Sequence, residues 1–238
     1  MKYLRFDVVR WIYVTTMVAA FVTGCSTTTP PPEISSTISP LPAEFPESYY
    51  RQAEALGKKI LRISPELSVV TIEVRRAGTL ARLGHDHVVA SHDISGYVAP
   101  DEERTDLIMP LAKLTVDEPN LRAEAGFDTQ PTPEAIEGTR HNMLTKVLEA
   151  DRFPFVLIHA IRIDPMQPTL RVSITLHGVT HTFEVPAQIE TTPKRLIVAG
   201  RLTLNQTDFG IVPYSVLGGA IQVQDRMDLR FRIVASQH

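Results

Sequence analysis

Leu83-Gly84-His85-Asp86-His87 is where side-chain types and spacing in this sequence come nearest to chemistry. On a strand, residues two apart share a face, so His85 and His87 would present two imidazoles in one direction. Such a pair takes Zn²⁺ or Cu²⁺ once a third or fourth ligand joins it, and His92, His141 and His177 are the candidates. Two other readings stand beside it. One is contact with the polar head of a bound ligand. The other is a solvated turn in which Gly84 bends the chain and Asp86 hydrogen-bonds its own backbone. No metal is assigned. Elsewhere the chemistry is thin. Asp208 has no visible partner, and Ser91 and Ser215 lack the strand–turn–helix setting of an activated serine. Gly218-Gly219 is followed by no Lys-Ser or Lys-Thr, so it is not a phosphate loop. No catalytic residue is assigned and the chain is not read as an enzyme.

Cys25 carries a different signal. It is the single cysteine, so no internal disulfide can form, and it ends Val22-Thr23-Gly24-Cys25. Before it come a basic start (Lys2, Arg5, Arg10) and an apolar run from Trp11 to Gly24, about 14 residues. A bilayer-spanning helix needs about 20, and these flanks are those of a signal peptide. Small residues before a lone Cys resemble a bacterial lipoprotein signal. The expectation is export, cleavage after 1–24, acylation of Cys25 with palmitate-type chains and membrane tethering in the periplasm. By resemblance to lipoprotein sorting signals, Ser26 rather than Asp after the Cys favours the outer membrane. With 43% hydrophobic residues and a net charge of −3, the body has no basic excess for nucleic acid. It would be weakly repelled by anionic lipid, which leaves the holding to the acyl chains.

The elements follow from composition and period. Residues 25–46 are rich in Ser, Thr and Pro and read as an extended tether. Residues 47–59 read as a short helix with Tyr49, Tyr50, Ala53 and Leu56 on one side. From 60 to 238 the period is two: Val70, Ile72 and Val74; Leu170, Val172, Ile174 and Leu176; Phe183, Val185, Ala187 and Ile189; Met227, Leu229, Phe231 and Ile233. Such alternation marks half-buried antiparallel strands. Further strands are read at His87–Val98, Thr105–Val116, Pro154–Asp164 and Arg195–Asn205. One clear helix, Pro133–Ala150, carries the stripe Ile136, Met143, Leu144, Val147 and Leu148, with Thr132 as its cap. About eight strands fit an all-β domain. A closed barrel would remove exposed edges, but periodicity alone leaves barrel and sandwich both open.

Three segments in order resemble the YceI-like family, polyisoprenoid-binding lipocalin-like barrels of the bacterial periplasm. They are Leu176-His177-Gly178-Val179-Thr180, Asn205-Gln206-Thr207-Asp208-Phe209-Gly210-Ile211, and the helix Arg140–Leu148 followed by Arg152-Phe153-Pro154. The opening strand Ser68–Val74 and Ser95-Gly96-Tyr97 sit in the matching places. The resemblance runs from about Leu61 to Val234. The chain departs from it at Arg75-Arg76, where a His is common, and at Gln206, where an Arg is common.

What the resemblance implies is an eight-stranded antiparallel barrel whose interior holds an isoprenoid-type lipid, a quinone or polyprenyl chain, with no further cofactor. The ligand-contacting residues would be Val70, Ile72, Val74, Val156, Ile158, Leu170, Val172, Ile174, Leu176, Phe183, Val185, Leu202, Leu204, Phe209, Leu229 and Phe231, with His85 and His87 at the head group. Two competing readings are a metal-binding stress protein or enzyme built on His85 and His87, and a structural lipoprotein whose barrel is filled by its own side chains.

Overall fold

The alternating segments form the wall of a closed antiparallel barrel. The computed structural model describes residues 41–164 and 166–237; the signal run, Cys25 and most of the Pro-rich tether lie outside the described residues. In chain order the elements are α1 (Glu47–Ala55), β1 (Leu61–Ile63), β2 (Val69–Ala77), β3 (His87–Ser91), β4 (Ser95–Ala99), β5 (Arg104–Pro110) and β6 (Thr115–Val116). Then come α2 (Pro119–Ala125), α3 (Pro133–Asn142), β7 (Phe155–Arg162), β8 (Thr169–Leu176), β9 (Val179–Thr192), β10 (Arg195–Asn205), β11 (Ser215–Val216) and β12 (Ile221–Ser236).

Register reduces these strands to eight staves. β1 and β2 share one edge of β12 and are two halves of one stave. They pair with β4 and β3 respectively, the halves of the second stave. β5 and β6, pairing with β4 and β3, make the third. β7, β8, β9, β10 and β12 follow as neighbours, and β12 returns to β1 to close the ring. Closure satisfies backbone groups that an open edge would expose.

The breaks have local causes. His87–Val98 and Thr105–Val116, read as single strands from sequence, are each split. Pro110 has no N–H to continue a ladder, and a short turn at Leu111–Lys113 follows it. Between β3 and β4 the chain bends at 92–94 and buries Ile94. β9 pairs with β10 only from Thr192 to Ala187. Ala187 N–H points to β8, where it donates to the Pro168 carbonyl. The preceding residue must therefore face β10, and it is Pro186, which has no N–H to give. The wall splits below that point.

The helices are short. α1 packs Tyr50 and Ala53 on the outside of the wall, with Tyr50 stacked on Tyr97 at 4.9 Å. It ends at Ala55, earlier than residue 59, and Gly57 follows with φ +78°. α3 starts as its sequence predicts: the Thr132 hydroxyl accepts from Ala135 N–H at 3.3 Å, and Pro133 sits in the first turn. It does not run unbroken to Ala150. A π-helical turn, Met143–Val147, continues it and buries Leu144. α2 is not visible as a period because it is only two turns long. It is set by Pro119 at its start and by Gly126, at φ +69°, at its end. Among the described residues no helix is long and apolar enough to cross a membrane.

Candidate functional site

The inward rows do not meet across the barrel. They leave a cavity of about 420 Å³ lined by Val70, Ile72, Val156, Ile158, Leu170, Val172, Ile174, Leu176, Val185, Leu202, Leu204, Leu229 and Phe231, all expected from the alternation. Leu61, Val98, Leu107, Met109, Ala160, Ile189, Leu196, Val198, Met227, Ile233 and Ala235 also line it. Leu196, Val198, Met227 and Ile233 continue the same period-two rows and were legible. Leu107 and Met109 were hidden because their outward neighbour Ile108 is also apolar and buried, which erases the alternation. Gly200 sits in the inward row between Val198 and Leu202. A Cβ there would come 2.7 Å from Phe231 Cζ, so the missing side chain is what lets that ring lie across the wall.

Polar side chains in the lining gather at one end. Lys59, Glu103, Thr105, Arg162, Thr191 and Thr192 come from the start of the first stave, the β4–β5 turn, the end of β7 and the β9–β10 hairpin. This end is the rim. The other end is a floor. Phe209, fully buried, stands in the split between β9 and β10, with ring centroids 6.3 Å from Phe183 and 5.7 Å from His181. Leu144, Leu114, Val116 and Ile211 belong to the same buried cluster, and Met143, Val147 and Leu148 pack on it.

The three recognisable segments meet at this floor. His177 and Gly178 both have positive φ, +53° and +76°, as a two-residue hairpin requires. Phe153 packs on that turn, 4.5 Å from the His177 ring and close enough to Gly178 that a Cβ would lie 2.9 Å away. His177 Nε2 lies 3.2 Å from Glu149 Oε1. Hydrogen bonds from Arg152 and then from His177 hold the Glu149 carboxyl below its ordinary pKa. Arg140 donates to the carbonyls of Leu114 and Ala112 at 3.0 and 2.6 Å, pinning α3 to the β5–β6 turn. Gln206 is buried, and its amide donates to the Gln224 carbonyl at 2.8 Å. Apart from Leu176, which also lines the cavity, the motif residues gather at the floor, while the cavity is walled by side chains outside the three motifs.

Five expected contact residues lie elsewhere than in the lining. Val74, Phe183 and Phe209 are packed in or against the buried cluster towards the floor. His87 shares a face with Val89 by register, but its Nδ1–H donates to Asp117 at 2.6 Å. His85 precedes the strand. Its ring stands edge-on to His87 at 6.2 Å, and its Nδ1 is buried without a hydrogen-bond partner. Two of the other candidate histidines are engaged elsewhere: His92 lies 2.9 Å from Glu118 and His177 is held by Glu149. No group of three or more metal-ligating side chains gathers among the described residues.

Two buried carboxylates organise the wall without lining the cavity. Asp117 accepts from His87, from Val88 N–H at 3.0 Å and from the Arg122 guanidinium, which also reaches the carbonyls of Asp86 and Thr129. Burial opposes ionisation of Asp117, but these donors, His87 first, outweigh it and hold its pKa below the usual carboxylate value. Asp106 accepts from Tyr50 at 2.6 Å, Arg104 at 2.8 Å and His159 at 2.8 Å. Burial, then the Asp106 contact, raises the Tyr50 phenol well above its ordinary pKa. Both networks brace the wall from outside the cavity.

A lining of hydrocarbon with polarity only at the rim suits one slender apolar guest with its polar end outward. It is also a fair size: binding cavities run from about 300 to 1,000 Å³. A family model for the YceI-like domain matches residues 62–235. Among solved structures, a polyisoprenoid-binding domain from Saccharophagus degradans implicated in plant cell wall breakdown is similar in fold (TM-score 0.54). It is 9% identical and covers 75% of this chain and 98% of its own. BcnA of Burkholderia cenocepacia gives a TM-score of 0.49 at 12% identity, over 73% of this chain and 99% of its own. Comparison with curated proteins finds no match.

Proposed function

Since the chain belongs to the YceI-like domain family, we propose that it sequesters or carries an isoprenoid-type lipid in its barrel while tethered to the membrane through Cys25. The observation that carries the lipid reading is the cavity of about 420 Å³ with polar side chains only at its rim. Sheathing hydrocarbon there is favourable by about 0.8 kcal/mol per CH₂, or about 4 kcal/mol for a five-carbon unit. Association costs on the order of 4–15 kcal/mol, so one to four units must be buried before binding shows. The role is binding rather than catalysis: apolar walls supply dispersion and water exclusion, and the rim orients the head. The similar fold of a domain described as polyisoprenoid-binding supports the same ligand class.

The anchor rests on Val22-Thr23-Gly24-Cys25 and its flanks. Two or three acyl chains hold where one is marginal. The expected tether ends sooner than residue 46, because the chain turns at 43–45 and buries Phe45 beside Tyr97; residues 26–41, extended at about 3 Å each, would let the barrel stand up to roughly 50 Å from the bilayer. Location on the periplasmic side of the outer membrane rests on Ser26. Native mass spectrometry of the full chain, followed by lipid extraction, tests the ligand. A co-purifying prenyl lipid is expected. A lipid-free protein that takes up neither quinone nor polyprenol at micromolar concentration would end the reading. Cys25→Ala should leave the membrane fraction or remain uncleaved; a variant that stayed membrane-bound at mature size would overturn the anchor.

A further inference from the structure

The outer face of the barrel holds a group of arginines that lipid binding does not use. Leu202, Leu229 and Phe231 line the bore. Their neighbours Arg201, Arg230 and Arg232 therefore face outward, as the two-residue period of a strand requires. Register sets Arg201 directly opposite Arg230, and Arg232 opposite Ala199, on the paired strands β10 and β12. Opposed positions lie about 5 Å apart, and alternate positions along one strand about 7 Å apart. Arginine side chains are long enough for all three to reach one anion.

Among the described residues these three receive no carboxylate at hydrogen-bond distance. The two acids on the same face, Glu73 and Asp228, sit one row further along and are already engaged. Glu73 accepts from Arg75 at 2.6 Å, and Asp228 accepts from Arg226 at 2.8 Å and from Thr203 at 2.7 Å. Arg230 comes no nearer than 3.9 Å to Glu73, and its Nε and Nη2 are shielded from water without a hydrogen bond. Arg232 gives one Nη to the Leu67 carbonyl at 2.9 Å. Arg201 is exposed and forms no ion pair or hydrogen bond among the described residues. Like charges set directly opposite on a sheet are destabilising, and a shielded donor without an acceptor is the kind of group a bound ion satisfies. On a chain of net charge −3, such an uncompensated group is a local site and not one part of a basic surface. Guanidinium groups pair with phosphate through parallel hydrogen bonds. A terminal phosphate offers three free oxygens to three arginines, where a carboxylate or a phosphodiester offers two.

We propose that Arg201, Arg230 and Arg232 form a binding site for a terminal phosphate group, free or carried on an organic molecule. The site lies across the wall from the bore and stands whether or not the bore takes a lipid. The test is isothermal titration of the full chain in detergent, at constant ionic strength set with chloride. The probes are inorganic phosphate, glycerol 3-phosphate and the diester glycerophosphoglycerol. The first two should bind, and the diester should bind at least fivefold more weakly; the tighter of the first two identifies the source. Arg201→Gln and Arg230→Gln should each weaken binding at least fivefold. Arg171→Gln, at an exposed arginine on β8, should leave it unchanged. If Arg230→Gln does not fold, the exposed Arg201 carries the test. Thermal melting separates a ligand site from a structural role. In chloride alone Arg201→Gln should melt no lower than the wild type, because it removes a repulsion. In phosphate it should melt lower, because only the wild type gains from binding. Arginines that only held the wall together would lower the melting temperature in both buffers. A wild type that binds neither monoester nor inorganic phosphate, an equal loss in Arg171→Gln, or a diester as tight as glycerol 3-phosphate would overturn the proposal.

Discussion

Asp117 shows how a single residue decides whether a suggestive motif does chemistry. His85 and His87 invite a metal by spacing alone, yet His87 is committed to a carboxylate thirty residues downstream. Asp117 itself looks like an ordinary loop charge in the sequence. Its setting, buried with φ +58° and paired with both His87 and Arg122, exists only after β3 and β6 are joined. Removing one partner of a buried ion pair strands the others, at about 3–5 kcal/mol. Asp117→Asn keeps the shape and some hydrogen bonds, so we expect a loss of about 2–4 kcal/mol at pH 7, read by urea unfolding. The sign of the pH effect follows from the lowered pKa. The ionised carboxylate stabilises the fold fully above the unfolded-state value of about 3.9, and that contribution fades as pH falls below it through the folded value. The deficit of Asp117→Asn should therefore shrink at pH 3; an equal deficit at both pH values would contradict this account.

At the scale of elements, the hairpin Leu176-His177-Gly178-Val179 is the most legible and the most constrained. Two flanking strands and a His-Gly turn announce it in sequence, because positive φ at both central residues needs Gly at one of them. What sequence does not show is that Phe153, from another segment, uses the missing Cβ of Gly178 as its seat. Gly178→Ala should cost about 2–4 kcal/mol, combining backbone strain with overpacking against Phe153. Because this turn lies at the floor and not in the lining, its effect should appear as a lower unfolding midpoint in chemical denaturation, with prenol affinity in the folded fraction unchanged. The split staves were less legible. Pro110 and Pro186 stand plainly in the sequence, but which ladder each one ends depends on which neighbour its missing N–H would face.

For the whole molecule, the apolar bore is the decisive property. A folded chain with an apolar void gains stability when a guest fills it: at a ligand concentration of 100 times Kd the gain is about 2.7 kcal/mol. For a domain of this size each kcal/mol is about 2–4 °C in Tm, so farnesol at that excess should raise Tm by about 5–10 °C in a thermal scan. Val198→Trp, which places a large ring in the bore, should abolish that shift while keeping the ligand-free Tm within a few degrees. A wild type whose Tm ignores saturating prenol would argue against a hydrophobic guest.

By itself the sequence determined much of what depends on neighbours along the chain. Period two assigned faces to β8, β9, β10 and β12, a Thr-Pro pair began α3, and the Leu-His-Gly-Val-Thr segment placed a hairpin. The proposed acyl anchor at Cys25 is likewise a local pattern. Only the tertiary structure decided that eight staves close, that their inward side chains leave space along the axis, and that the polar side chains of its lining gather at one end. The physical reason is that alternation says which way a side chain points but not how far away the opposite wall stands. That distance is set by the number and stagger of the strands around the ring, and no single stretch of sequence carries it.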